Sequence, residues 1–250
     1  MHSQSKKRLD EELVDRGLYA SRARARDAIA RGCVSLEDAG TPKPSRMVSG
    51  STKISISDPA LQYVSRAALK LKHALKVTGF SPEGKTALDL GASTGGFCQV
   101  LLEAGAKRVF AVDVGHGQLV EKIANHPCIT NLENLNAREL SLKHLNDINP
   151  DFLTSDMSFI SLKLALPNAL QLAAPDAYGI FLVKPQFEVG KENLSRDGIV
   201  KDQQLATRTA NDMKDWLDNN EGWRATHLIE SPLKGGDGNK EFLLAGRKHG

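Results

Sequence analysis

The sequence has few cysteines, and they are far apart. Cys33, Cys98 and Cys128 form no Cys-x-x-Cys pair, and none lies at metal-ligand spacing from a histidine. A disulfide framework and a zinc site are therefore not expected, and the pattern is typical of a reducing compartment. We expect no bound metal.

Long apolar runs are also missing. The first residues, MHSQSKKRLDEELV, are charged and lack the apolar centre of a signal peptide. No later run approaches the roughly 18 apolar residues that a membrane helix needs. We therefore expect a cytoplasmic protein that has no membrane partner.

Neither charge nor hydrophobicity is extreme. Of 250 residues, 40% are hydrophobic and 25% are charged, and the net charge is +3. This composition is ordinary for a folded protein and argues against global disorder. The length suits one large α/β domain with a small additional module.

Acidic residues are absent between Pro59 and Pro82, although this stretch contains Arg66, Lys70, Lys72 and Lys76. In a second basic cluster, one aspartate accompanies four arginines: Arg22, Arg24, Arg26 and Arg31. Two local basic surfaces are predicted, and phosphate backbones are the commonest reason for such surfaces. Solvated helix faces are the alternative interpretation.

The first 57 residues are predicted to form a small α+β module. One helix is expected between Lys6 and Leu18, with a stop at Gly17, and Ser21 caps a second helix that ends at Gly32. Short strands are expected at residues 33–36 and 53–57, with a turn at 38–40. Such a module buries too little apolar area to be very stable alone.

The string RLDEELVDRGLYASRARARDAIARGCV resembles the S-four RNA-binding domain. This resemblance implies that the paired helices present a basic face to structured RNA, recognised through its shape and phosphates. A helical oligomerisation arm is the alternative. The residues expected to contact RNA are Lys7, Arg8, Arg22, Arg24 and Arg66.

Residues 64–250 follow a linker at 58–63 and are predicted to form a Rossmann-like domain. Strand signals alternate with amphipathic stretches, the strands being TALDL, RVFAVDV, CITNLE, DFLTSDM, YGIFLVKP, ATHLIE and EFLLAG. This order predicts a mainly parallel, doubly wound sheet that ends in an antiparallel pair.

A helix is predicted immediately before this sheet. Its apolar stripe runs from Val64 through Ala68 and Leu71 to Leu75. Arg66, Lys70 and His73 recur at three- and four-residue spacing on another face. The spacing predicts a basic ridge along the helix.

A loop rich in small residues follows the first predicted strand. Its sequence, DLGASTGGF, allows the backbone to approach a ligand closely, and Asp113 ends the next strand, where a carboxylate can accept ribose hydroxyls. The dinucleotide fingerprint requires glycine at the position of Ser93. A nucleoside-type cofactor without phosphates is therefore the better fit.

The same string resembles the first motif of S-adenosylmethionine-dependent methyltransferases. The resemblance implies that the loop holds the methionine end, Asp113 the ribose, and that Asn136 lies near the adenine. The expected cofactor contacts are Asp89, Gly91, Ala92, Ser93, Thr94, Gly95, Asp113, Asn136 and Asp156.

Seven further segments stand out: SRAALKLKHAL, LDLGASTGGF, VDVGHGQL, TSDMSFISL, LVKPQFEVGK, DGIVKD and SPLKGGDGNKEFLL. They strongly resemble the TlyA family, also called hemolysin A, and the resemblance covers essentially the whole chain. In that family and in related FtsJ-like enzymes, a Lys-Asp-Lys-Glu tetrad serves ribose 2′-O-methylation. The matching residues are Lys70, Asp156, Lys184 and Glu241.

The resemblance implies an S-adenosylmethionine-dependent enzyme that methylates cytidine 2′-hydroxyls in small-subunit ribosomal RNA, with large-subunit RNA as a further candidate. Ribosomal RNA or ribosomal subunits are then the expected partners. A non-catalytic ribosome-assembly factor and a membrane-active hemolysin are the alternatives. The oligomeric state stays open.

Within the tetrad, Lys184 is expected to contact the 2′-oxygen. It acts either as a base, with a pKa lowered by burial, Lys70 and the sulfonium, or as a cation that stabilises the developing alkoxide. Asp156 is expected to orient Lys184 and to lie near the methyl group. Lys70 and Glu241 are expected to position the ribose.

Overall fold

The structure, a computed structural model, describes residues 6–37, 40–220 and 222–250. Contacts divide the chain into two compact units, Met1–Gln62 and Tyr63–Gly250. Residues 38 and 39 of the turn expected at 38–40 lie outside the described part of the chain.

In residues 6–37 and 40–62, the N-terminal unit contains two helices and two small antiparallel strand pairs. Its elements are β1 (Lys7–Arg8), α1 (Leu9–Asp15), α2 (Arg22–Ala30), β2 (Val34–Leu36), β3 (Met47–Val48) and β4 (Ile54–Ile56). Strand β1 pairs with β3 and β2 with β4. The Ser21 side chain accepts a hydrogen bond from Arg24 N, so the predicted cap of α2 is confirmed.

A single small core holds this unit together. The buried side chains of both helices meet those of β2 and β3, namely Leu9, Leu13, Ala25, Ala28, Ile29, Val34, Leu36 and Val48. Both predicted helices and both predicted strands are present. The β1–β3 pair was not predicted because two-residue strands leave no readable alternation.

The expected linker is held at both ends, by the buried side chain of Asp58 and by the buried residue Tyr63. Asp58 accepts hydrogen bonds from both Arg31 and Tyr19 of the N-terminal unit. Tyr63 belongs to a core cluster of the second unit. The segment between them is correspondingly short.

The second unit is an α/β domain. In chain order its elements are α3 (Ala68–Thr78), β5 (Thr86–Leu90), α4 (Gly96–Glu103), β6 (Arg108–Val112), α5 (Glu121–Ala124), β7 (Ile129–Leu132), β8 (Phe152–Ser155), α6 (Leu162–Ala165), α7 (Pro167–Leu172), β9 (Tyr178–Val183), α8 (Gln203–Asp218), β10 (Trp223–Glu230) and β11 (Phe242–Lys248).

Within the described residues these strands form one seven-stranded sheet in the order β10-β11-β9-β8-β5-β6-β7. Strands β5 to β9 are parallel, whereas β11 runs antiparallel to β9 and β10 antiparallel to β11. The Rossmann-like prediction is confirmed, including the terminal antiparallel pair. The strand order reverses between β5 and β8, and open α/β sheets bind ligands at the carboxyl ends of strands at such a point.

Both faces of the sheet are covered. Along β5, Leu88 and Leu90 pack into one hydrophobic cluster and Ala87 into another, as alternation along a strand requires. Helix α8 packs on the first cluster through Ala206, Ala210 and other residues. The central strands of the sheet are thus packed on both faces and support the loops at its carboxyl edge.

The helix before the sheet differs from its prediction. It begins at Ala68, not near Val64, because the backbone N–H of Val64 donates to the Gln99 side chain and residues 65–70 close tighter three-residue turns. Lys70 is only 5% exposed. The predicted basic ridge is therefore wrong at Lys70, which points into the protein.

No helix in the described ranges is both long enough and apolar enough to cross a membrane.

Candidate active site

The loop after β5 is shaped by close backbone contacts. Gly91 has a φ of +77°, and a Cβ there would lie 2.8 Å from the carbonyl oxygen of Asp156. Ser93 has a φ of +47°, a left-handed conformation that non-glycine residues adopt only at a local cost. The loop therefore adopts a strained backbone conformation at the place where the strand order of the sheet reverses.

Asp113, at the end of β6, fixes this loop. Its Oδ2 accepts from Ser93 N at 2.8 Å and its Oδ1 from Gly115 N at 2.7 Å. Each carboxylate oxygen can accept a second hydrogen bond. Asp113 can therefore brace the loop and still accept hydroxyl groups of a ligand.

Two adjoining cavities open at this edge of the sheet. The larger, about 540 Å³, lies between the ends of β5, β6 and β8, and the smaller is about 140 Å³ and includes Lys184 in its wall. Four residues line both cavities: Gly91, Ser93, Asp156 and Ser158.

Most of the predicted cofactor residues meet here. Gly91, Ser93 and Asp156 line both cavities; Ala92 and Thr94 line the smaller; Asp113 and Asn136 line the larger. Asp89 and Gly95 are absent from both linings. Gly95 packs instead against Leu119, which a Cβ at Gly95 would approach to 2.8 Å.

Asp89 is fully buried beneath the loop. Burial raises the pKa of its carboxyl to about 7, against the opposing effect of hydrogen bonds from Cys98 Sγ at 3.1 Å and Thr154 Oγ1 at 2.8 Å. The charges of Asp156 and Asp113 also raise this pKa. Asp89 therefore ties β5 to α4 and β8 and does not face the cavities.

The first half of the predicted tetrad lies in the cavity wall. Asp156 follows β8 and Lys184 follows β9, and Lys184 Nζ lies 2.6 Å from Asp156 Oδ1. The same nitrogen donates to Ser158 Oγ at 2.8 Å. Both charged side chains are mostly buried but reach the smaller cavity.

The second half is a buried ion pair. Lys70 Nζ lies 2.5 Å from Glu241 Oε2, and the two residues are 5% and 3% exposed. Strand β11 pairs with β9 through Phe242 opposite Val183, and one further step of this register brings Glu241 opposite Lys184. Helix α3 and the sheet thus gather four residues that are up to 171 positions apart.

Sequence reasoning missed three residues around this centre. Ser158 and Phe159 lie in TSDMSFISL, a segment quoted for its resemblance but not resolved into roles. Phe159 is 91% exposed with a φ of +66°, and its ring centroid lies 5.3 Å from that of Phe187. Glu188 accepts from Leu162 N and from Ser161 Oγ, which fixes the loop that carries them.

The residues predicted to bind RNA are mostly engaged with protein groups. Lys7 pairs with Asp15, Arg8 with Asp10, and Arg22 with both Asp10 and Glu11. In addition, the guanidinium of Arg24 donates to Ala60 O and that of Arg66 to Lys234 O. These contacts orient the cations and leave Lys7, Arg8 and Arg22 partly exposed.

The larger cavity fits S-adenosylmethionine. Its lining combines apolar side chains such as Val114, Leu135 and Ile160 with the carboxylates of Asp113 and Asp156, and it includes no lysine or arginine. A pyrophosphate needs cationic or helix N-terminal partners, whereas a nucleoside with a sulfonium is suited by carboxylates. The described residues contain no cluster of three metal-ligating side chains. Fold and site together define an S-adenosylmethionine-dependent methyltransferase.

Comparison with known proteins identifies the family of methyltransferases to which this chain belongs. The model of the FtsJ-like methyltransferase family matches residues 63–248. The 16S/23S rRNA (cytidine-2'-O)-methyltransferase TlyA of Mycobacterium tuberculosis is 41% identical over 238 residues, which cover 95% of this chain and 88% of the relative. The chain therefore belongs to the FtsJ-like methyltransferases, among the TlyA and hemolysin A proteins.

Solved structures agree with this assignment. A proposed hemolysin from Streptococcus thermophilus is 35% identical, with a TM-score of 0.76 over 99% of this chain and 90% of that one. An S-adenosylmethionine-dependent methyltransferase from Listeria monocytogenes, with a TM-score of 0.56 at 19% identity, covers 74% of this chain and 100% of that one. The second similarity concerns the fold alone.

Proposed function

We propose that this enzyme transfers a methyl group from S-adenosylmethionine to the ribose 2′-oxygen of a cytidine in ribosomal RNA. The observation that carries the proposal is the Lys184–Asp156 pair, with 2.6 Å between Nζ and Oδ1, in the wall shared by two adjoining cavities. The methyl donor belongs in the larger cavity and the acceptor ribose in the smaller.

S-adenosylmethionine, when bound, supplies an electrophilic methyl group on a sulfonium centre. A ribose hydroxyl is a weak nucleophile until its proton leaves, so the protein must activate and align it. Lys184 is placed to accept this proton as an amine, or to stabilise the developing alkoxide as an ammonium while water takes the proton. Asp156 holds Lys184 in place in both cases.

Lys70 and Glu241 act from the adjacent buried pair. Phe242 of β11 stands opposite Val183 of β9, so Glu241 and Lys184 are the next residues along the paired strands, and a negative charge at Glu241 would act on Lys184 in a low-dielectric interior. Lys70 offsets that charge. We assign this pair the role of setting the field at Lys184 and supporting the ribose.

The acceptor side has features suited to a nucleotide. Phe159 exposes almost its whole ring beside Ser158, and exposed aromatic rings stack well on unpaired bases. Its φ of +66° is a left-handed backbone conformation that costs a phenylalanine free energy. An unpaired cytidine stacked on Phe159 would bring its ribose to the cavity wall.

The choice of RNA follows from the relatives. The Mycobacterium tuberculosis relative is named for both 16S and 23S RNA, so both ribosomal subunits are candidate substrates. The N-terminal unit, with its S-four resemblance and its oriented arginines, is the second candidate RNA contact. Such a substrate would place the enzyme in the cytoplasm.

The test is transfer of labelled methyl to purified, unmodified 30S and 50S subunits by the wild type, Lys184→Ala and Lys163→Ala. Lys163 is an exposed lysine of α6 and serves as the matched control. We expect Lys184→Ala to lose about 10³-fold in rate, in the range of an essential acid–base group, and Lys163→Ala to keep it. Calorimetry should show S-adenosylmethionine binding unchanged in both variants.

Mapping of the labelled nucleotide then tests the position of the methyl group. Alkali-resistant label at a cytidine supports 2′-O-methylation, because the modified ribose cannot assist strand cleavage. Label on a base nitrogen or carbon would contradict the proposal. Methyl transfer that survives Lys184→Ala would remove Lys184 from its assigned role, and no label from the wild type would indicate a binding factor or another RNA.

A further inference from the structure

Ser158 contacts the central lysine of the tetrad without being part of it. Its Oγ accepts from Lys184 Nζ at 2.8 Å, and Asp156 Oδ1 lies 2.6 Å from the same nitrogen. Ser158 is exposed and lines both cavities. It therefore meets Lys184 in the wall that the methyl donor and the acceptor would share.

The number of bonding directions at Nζ gives this contact its importance. A lysine nitrogen has three directions beyond Cε, occupied by three N–H groups in the ammonium and by two N–H groups and a lone pair in the amine. Ser158 takes up one of the three with a hydrogen bond, whereas Asp156 Oδ1 lies 2.6 Å from Nζ in an ion pair outside hydrogen-bond geometry. Two directions are left, and one of them can serve a group that enters the smaller cavity.

From this geometry we infer that Ser158 is a positioning residue for the methyl transfer. Its hydrogen bond fixes the rotation of the Lys184 Nζ group, so that one of the two other directions faces the acceptor oxygen. With the Asp156 ion pair alone, which lies outside hydrogen-bond geometry, Nζ could rotate about its Cε bond and this direction would be spread over a cone. The inference rests on the proposed 2′-O-methylation and holds for Lys184 as an amine or as an ammonium.

The surrounding loop is built to keep Ser158 in place. Glu188, four residues after Lys184, accepts from Ser161 Oγ at 2.5 Å and from Leu162 N at 2.8 Å. These bonds tie the segment after β9 to the segment after β8. Ser158 and Lys184 therefore lie in two segments that are joined before them by the β8–β9 pairing and after them by Glu188.

Kinetics of Ser158→Ala and Ser158→Thr test the inference, with Ser81→Ala as the control because Ser81 is exposed and its Oγ bonds only locally to Glu83 N. Ser158→Ala should lower kcat by about 10- to 100-fold, the scale of a misaligned reacting group, and leave the KM for S-adenosylmethionine within about twofold. Ser158→Thr keeps the hydroxyl and should recover most of the rate.

A second measurement does not depend on turnover. Competitive acetylation of the intact protein, read at Lys184 by mass spectrometry across a pH series, reports how the Nζ group is held. Ser158→Ala should shift the pH dependence of Lys184 acetylation, whereas Ser158→Thr and Ser81→Ala should follow the wild type.

The kinetic and acetylation measurements distinguish a failure of the positioning role from a failure of the substrate proposal. An unchanged kcat with an unchanged acetylation profile in Ser158→Ala would overturn the inference, as would a loss of rate that Ser158→Thr does not recover. If the wild type methylates neither ribosomal subunit but the acetylation profile still shifts, the substrate proposal fails and the positioning contact is supported.

Discussion

Two aspartates, Asp10 in the N-terminal unit and Asp89 in the catalytic unit, are both fully buried but lie in opposite surroundings. Burial acts to raise the pKa of Asp10, yet hydrogen bonds from Arg26, Arg8 and Arg22 outweigh it and hold the pKa well below its usual range. Among the described residues, the side chains that donate to Asp89 are the neutral Cys98 and Thr154, and burial raises the pKa of Asp89 to about 7.

The comparison shows that hydrogen bonds alone do not compensate a buried carboxylate. Both carboxylates accept more than one hydrogen bond. Only nearby positive charges, however, offset the hydration free energy that an anion loses on burial. The N-terminal unit therefore holds a permanent anion that gathers three arginines. The catalytic unit holds a carboxyl whose charge changes near neutral pH, directly beneath the cofactor loop.

The largest expected effect is on the pH dependence of stability, tested with Asp89→Asn. Because the folded pKa of Asp89 lies above the unfolded value, the folded state holds an extra proton between about pH 4 and pH 7. The stabilisation that protonated Asp89 contributes is therefore fully present at low pH and is lost as the pH rises through about 7. Between about pH 5 and pH 7 the loss is on the order of 2 kcal/mol.

Denaturant unfolding of the wild type and Asp89→Asn at several pH values measures this effect. The difference between the two free energies isolates Asp89 from the other titrating groups. A difference that stays constant from about pH 5 to pH 8 would mean that Asp89 is charged throughout, and the contrast with Asp10 would disappear.

The next effect concerns Asp10→Ala. Removing the shared carboxylate leaves Arg8, Arg22 and Arg26 without their common partner, although each is partly exposed and can rehydrate. We expect the N-terminal unit to lose about 2 kcal/mol, below the 3–5 kcal/mol of a wholly buried pair. Hydrogen exchange by mass spectrometry over residues 6–37 of the intact chain measures this local stability.

Asp15→Ala provides the control for Asp10, since its ion pair with Lys7 is half exposed on both sides. Such a pair contributes little, and exchange should remain close to the wild type. Equal acceleration of exchange in the two variants would contradict the special role of the buried aspartate.

The smallest expected effect is that of Cys98→Ala. Without the thiol, Asp89 loses one donor that favours its charged form, so the pKa of Asp89 should rise further. The expected cost above neutral pH is about 1 kcal/mol, the size of one hydrogen bond. The same unfolding series measures it, and Cys98→Ser, which keeps a donor, should behave like the wild type.

Much of the fold was accessible from the sequence. The strands of the large sheet were predicted because β-strands buried on both faces give continuous apolar runs, and the helix caps because serine and glycine mark helix ends. The loop DLGASTGGF and Asp113 were identified from their places after the first two strands. The candidate tetrad came from resemblance, and its catalytic role stays a prediction.

Other features could not be predicted from the sequence, and the reason in each case is physical. The helical spacing of Lys70 is the same whether its face meets solvent or protein, so the pattern could not reveal its burial against Glu241. Asp89 stood in a motif associated with a cofactor, but its position inside β5 turns it away from the cavities.

The sequence by itself determined the class of fold, the position of the cofactor loop and the set of charged residues, because all three are written in local periodicity and in motifs. Only the tertiary structure decided which charges are paired. Lys184 meets Asp156 and Ser158, and Lys70 meets Glu241, because strand order and register bring distant segments to one edge of the sheet. The surroundings of each carboxylate, and with them its pKa, depend on burial and neighbours that no local pattern encodes.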